Sequence, residues 1–175
     1  MGTGCSQNPN IDATNVDDPR NWGGVVTIST PSWFSNYVLS VSATAVPMVL
    51  MVMDYLMYYP LIPMEDTQTM DNTVTLPRYT DGKGVQIMLV EQFPYVGGGT
   101  VQVTYTNSDG VAGRQTSITT INTQTALGTV AHSAATTSGA SGLFMPLASG
   151  DGGVRAIESI TFPVADSGNL AAILV

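Results

Sequence analysis

From Val25 to Val175 the chain is a succession of short apolar or alternating segments. Each is cut off by a cluster of Gly, Ser, Asn, Asp or Pro, and none offers a convincing long helix. That spacing leaves few architectures open. Tyr37–Val46 puts Tyr37, Leu39, Val41, Ala43 and Ala45 at one parity, the pattern of a half-buried strand. Thr100–Asn107 does the same with Val101, Val103 and Tyr105. Asn107-Ser108-Asp109-Gly110 is a turn signal, and Gln115–Ile121 answers it with Thr116, Ile118 and Thr120 on a shared face. These two segments are expected to form a hairpin. Val25–Thr30, Thr73–Tyr79, Val85–Phe93, Leu127–His132, Leu143–Leu147, Val154–Phe162 and Leu170–Val175 complete the expected strands, with Pro77 confining its segment to an edge or a bulge. Met48–Tyr59 is apolar except for Asp54. Met and Leu favour a helix there, Val and Tyr a strand buried on both faces, and the strand is the reading adopted. Pro60–Asn72 reads as a loop and Asp81-Gly82 as a turn. About ten short strands at this spacing predict an all-β fold, an antiparallel β-sandwich or jelly roll.

Residues 1–24 are rich in Gly, Asn, Asp and Pro without periodicity, and read as an extended N-terminal arm on a β-sandwich domain of residues 25–175. Only 10% of the residues are charged, and the net charge is −8. So sparse a charge suits either a surface covered by neighbouring proteins or one solvated by Ser and Thr. Lys83 and the arginines Arg20, Arg78, Arg114 and Arg155 stand singly, whereas counterion release from a phosphate backbone needs clustered cations. No direct nucleic-acid binding is expected, and an anionic membrane surface would repel the chain. Met1–Asn10 has no secretory pattern, and Met48–Met53 is far too short to span a bilayer. Cys5 has no partner for an internal disulfide and reads as an incidental thiol of a reducing compartment.

The residue types that carry chemistry are scarce. With one His and one Cys, neither a two-histidine metal site nor a four-cysteine or two-cysteine, two-histidine zinc site can be built. His132 has no adjacent nucleophile motif and reads as a structural or solvent-facing side chain. Glu65, Asp66 and Asp71 read as a solvated acidic loop, and Asp81-Gly82-Lys83-Gly84 as a tight turn without Walker spacing. Asp151-Gly152-Gly153-Val154-Arg155 reads as a glycine turn feeding a strand, with Arg155 pairing to Asp151 or Glu158. The methionines between Met48 and Met64 read as core. The expectation is therefore no enzyme, no catalytic, cofactor-binding or metal-binding residues, and no cofactor.

Four segments carry a resemblance: Asp54–Pro60, Asn72–Val85, Val103–Arg114 and Phe144–Arg155. Together they resemble stretches of tailed-bacteriophage structural proteins. The resemblance implies a virion protein, made in the host cytoplasm, that decorates or cements a capsid. Its expected partners are the major capsid protein or another virion protein, and its expected assembly a homotrimer. A tail, head-tail or fibre-attachment component is the alternative. A carbohydrate-binding surface domain is a third, with Trp22, Trp33 and the seven tyrosines as stacking platforms.

Overall fold

A computed structural model describes residues 51, 53–95, 99–121, 127–135 and 142–175. The arm of residues 1–24, Cys5, both tryptophans and the expected strands Val25–Thr30 and Tyr37–Val46 lie outside them. The described residues are all-β and contain no helix, hence none able to cross a membrane. The described residues form nine strands: β1 (Met57–Pro63), β2 (Thr67–Thr69), β3 (Ile87–Phe93), β4 (Thr100–Asn107), β5 (Arg114–Gln115), β6 (Thr119–Ile121), β7 (His132–Ala135), β8 (Val154–Thr161) and β9 (Asn169–Leu174).

They pair antiparallel into two sheets. One has the order β1-β9-β3. The other has the order β2-β8-β4-β6-β7, with β5 also on β4. The main core lies between the sheets, where Ile87, Leu89, Leu170, Ala172 and Leu174 meet Val101, Val103, Tyr105, Ile157 and Ile160. Strand β4 alternates buried and half-buried side chains along its length, so its sheet keeps one wetter face. The smaller sheet is buried on both faces. A second cluster, with Tyr55, Tyr58, Met88, Val90, Ala171 and Ile173, covers its outer side. That matches the apolar runs Ile87–Val90 in β3 and Leu170–Leu174 in β9.

One side of the sandwich is laced shut by segments that touch both sheets. Residues 128–131 run beside β3, through Gly128 N–H to Glu91 O (3.0 Å), Glu91 N–H to Thr129 O (2.9 Å) and Ala131 N–H to Leu89 O (2.9 Å). The same chain then continues as β7 on β6, crossing between sheets at His132. Residues 145–146 repeat the device: Met145 N–H bonds Ile87 O (2.8 Å), and Ser117 N–H bonds Pro146 O (2.9 Å). On the opposite side β1 runs on into β2, crossing between the sheets at residues 64–66, where Met64 N–H bonds Gly168 O (3.1 Å) and Asp66 O accepts from Phe162 N–H (2.8 Å).

Several expectations are corrected. Pro60–Asn72 is not a loop throughout, because β1 runs through both prolines and β2 follows. β1 lies at a sheet edge, where a missing N–H is tolerated, and a register shift between Tyr59 and Ile62 absorbs Pro60. Of Met48–Tyr59, only Met57–Tyr59 is strand among the described residues. Thr73–Tyr79 is not a strand, since β2 takes the edge of β8 and Pro77 cannot donate. Leu143–Leu147 is not a strand either, being one of the segments that lace the two sheets. The expected partner of β4 breaks in two. Thr116, Thr119 and Ile121 are the buried positions, so the face changes parity where Ser117 turns to Pro146.

Candidate functional site

The densest polar cluster sits where the β4–β5 turn meets the Ser149–Gly153 loop. Asp151 is its centre. Its carboxylate accepts from Tyr105 Oη (2.5 Å), Asn107 Nδ2 (2.8 Å) and Arg114 Nε (2.9 Å), with only 4% of its side chain exposed. The Arg114 hydrogen bond first, then those of Tyr105 and Asn107, hold the carboxyl down at about 2. Burial and the Asp151 bond push the Tyr105 hydroxyl up to about 12, although it also accepts from Ala148 N–H (2.9 Å). Asn107 Oδ1 caps the turn by accepting from Asp109 N–H and Val111 N–H. Glu158 accepts from Thr106 Oγ1 (2.7 Å) and Gly113 N–H (3.0 Å). Arg155 donates to Asp81 O and Ser108 O. It is thus Arg114, not Arg155, that pairs with Asp151. Two arginines and two acids fasten three turns together.

A second group lies at the other end of the molecule. Glu91 sits on β3 at the parity of Ile87 and Leu89, so its carboxyl enters the main core. Thr129 Oγ1 donates to Oε2 (3.3 Å), while Oε1 and the Tyr95 hydroxyl have no hydrogen-bond partner among the described residues. Burial raises the Glu91 carboxyl above the ordinary carboxylate range. It also raises the Tyr95 hydroxyl, with the Glu91 and Asp166 charges adding to the effect. The sequence reading missed this pair. The available signal was a lone acid at a core parity in Val85–Phe93.

A third feature is a cavity of about 400 Å³ on the β1 and β2 side, lined by β1, by Gln68 and Thr69 of β2, and by Met70, Asp71, Thr73 and Val74. Its β1 wall is held by Gln92, which accepts from Leu61 N–H and donates to the Tyr58 hydroxyl. Leu61 is held at a φ of 51°.

The residues weighed in the sequence are placed as follows. His132 is buried, not solvent-facing. Burial lowers its pKa, a hydrogen bond with the Leu143 backbone opposes this, and Nε2 has no partner. Glu65, Asp66 and Asp71 are exposed. Asp81-Gly82-Lys83-Gly84 is a turn bridged to Gly153. Of the methionines read as core, Met57 and Met64 lie in it and Met53 packs against the second cluster, but Met51 is exposed, and Met48 lies outside the described residues. Tyr55, Tyr58, Tyr59, Tyr95 and Tyr105 are buried, and Tyr79 is exposed, so the tyrosines make no stacking platform among the described residues. No three His, Cys, Asp or Glu side chains come close enough to hold a metal among the described residues.

Comparison with known proteins gives short matches. Part of the chain is similar to mycosins of Mycobacterium tuberculosis (strain ATCC 25618 / H37Rv). The identity is 56% over 39 residues for mycosin-5, which is 22% of this chain and 7% of that protein. For mycosin-2 it is 55% over 40 residues, 23% and 7%, and for mycosin-3 it is 49% over 43 residues, 25% and 9%. The chain therefore spans less than a tenth of the length of these relatives. No family model and no solved structure matches. These matches overturn the phage resemblance and with it capsid decoration or cement, tail or fibre attachment, surface glycan binding and a place in the virion. Turn-and-strand stretches such as Val103–Arg114 serve any antiparallel sandwich and do not identify a particle. The kinship that the comparisons support is a partial one, to mycobacterial mycosins.

Proposed function

We propose that this chain is a non-catalytic β-sandwich module that works by holding another protein. One observation carries the reading: among the described residues, the β1 and β2 side of the sandwich holds a cavity of about 400 Å³. Among the described residues the cavity is lined by one acid, Asp71, and the buried groups suited to acid–base chemistry lie elsewhere and are committed. Asp151, Arg114, Glu158 and Arg155 fasten turns. Glu91 and His132 are sealed from solvent. The net charge of −8 favours a protein partner over nucleic acid or an anionic membrane. The trimer expected from the sequence is a separate proposal. Light scattering reads it directly, with three chain masses supporting it and one chain mass overturning it.

Turnover is the test of the main reading. The protein should leave chromogenic esters, phosphomonoesters, glycosides and labelled casein untouched at micromolar concentration. Hydrolysis that disappears in His132→Ala or Asp151→Asn would make the chain an enzyme and end this proposal.

A further inference from the structure

The hydrogen-bond register of β2 shows what the cavity can hold. Asp66 O accepts from Phe162 N–H (2.8 Å), and Met70 N–H donates to Glu158 O (2.8 Å). These bonds bracket the Gln68↔Ile160 pair. In an antiparallel ladder the bonded residues alternate, so 66, 68 and 70 face β8. The N–H and C=O of Thr67 and Thr69 then point the other way, away from β8. Both threonines are exposed, and Thr69 lines the cavity. Across from them, β1 offers no such edge at Pro60 and Pro63, which lack an N–H. An unpaired edge of this kind is a template for a further strand, unless something covers it. The rim is acidic: Asp71 lines the cavity, Glu65 and Asp66 flank β2, and all three are exposed.

We infer that β2 takes up an extended segment of a basic partner protein as an added strand. Thr67 and Thr69 supply the main-chain bonds, apolar side chains of the segment enter the cavity beside Met70 and Val74, and its Lys or Arg residues meet Asp71 and the flanking acids. This rests on the association reading and names the partner's chemistry. Main-chain pairing gives such a complex its affinity, and the pockets for alternate side chains give it specificity. A second copy of this chain is disfavoured as the occupant, because two molecules of charge −8 repel.

The experiment uses the full chain and the labelled peptide acetyl-Lys-Thr-Val-Thr-Val-Lys-amide, read by fluorescence anisotropy. Saturable binding is expected, at least about tenfold weaker when both lysines are replaced by glutamate and weaker again as salt is raised. N-methylation of alternate peptide amides should weaken it at least about tenfold by removing the edge bonds. Thr69→Pro should do the same, because it deletes an outward N–H and leaves the bonds to β8 intact; an unchanged thermal melt shows that the variant is folded. The N-methylated peptide needs no variant, so it decides the matter if Thr69→Pro does not fold. Absence of binding up to about 5 mM overturns the inference. So does equal binding of the glutamate or N-methylated peptide, or a dimer in light scattering that the peptide competes away. None of these would create turnover, so the inference can fail while the association reading stands.

Discussion

Gly82 and Gly110 both sit at positive φ, +72° and +80°, yet they are constrained differently. A Cβ on Gly110 would meet the end of the Arg155 side chain at 3.5 Å, which can move aside. A Cβ on Gly82 would lie 2.5 Å from the Val154 carbonyl carbon and oxygen, which cannot. Gly110→Val should therefore cost about 1–2 kcal/mol, the strain of a side chain in the left-handed region. Gly82→Ala, with the smaller side chain, should cost more, about 3 kcal/mol or above, because backbone must separate from backbone. Urea unfolding of both variants at matched m-value checks the order. If the two midpoints fall equally, close approach at Gly82 is not what selects glycine there.

At the scale of elements, β4 shows how a side chain can stand in for a strand. Val103 N–H donates to Thr116 Oγ1 (3.0 Å), and Val103 O accepts from Thr116 N–H (2.9 Å). Thr116 O meanwhile accepts from the Gln102 side chain (3.0 Å). Thr116→Val keeps the shape but leaves a buried N–H unmet, so a loss of about 1–3 kcal/mol is expected in chemical denaturation. A midpoint within error of wild type would mean that another acceptor replaces the hydroxyl. This substitution also explains what the sequence could and could not reveal. Strands whose own alternation decides their burial, such as β4 with Val101, Val103 and Tyr105, were legible residue by residue. So were β3, β8 and β9, to within their ends, and the Asn107–Gly110 turn. The break at Ser117, the lacing segments and the edge role of Pro60–Pro63 were not, because each depends on a partner far away in the chain. The Asp151 cluster was half legible: its turn was visible, but its arginine comes from another strand. The cavity left no trace in the sequence, since it arises from the gap between two sheet edges.

Across the whole molecule, Asp151 and Glu91 oppose one another as pH changes. Asp151 titrates lower folded than unfolded, so its contribution is present above about 3.8 and lost as pH falls through about 2. Glu91 titrates higher when folded, so its effect is most favourable below the ordinary value of 4.5 and is lost as pH rises past it. Glu91→Gln should stabilise relative to wild type by an amount that grows as pH climbs above about 4.5. Asp151→Asn should instead flatten the acid limb. Thermal melts from pH 2 to 8 separate the two effects, and a Glu91→Gln difference independent of pH would remove the buried acid from this account. The order of strands in the smaller sheet bears on a different matter, how the chain comes off the ribosome. β9 lies between β1 and β3, yet it is the last of the nine to be synthesised. Until residues 169–174 emerge, β1 and β3 lack the strand that joins them, although residues 128–131 can already pair with β3. Such pairings between distant segments are made slowly, on the order of milliseconds to seconds. Through that interval the nascent chain presents sticky edges to other chains, so the last strand acts as a timer for aggregation as much as a piece of the sheet.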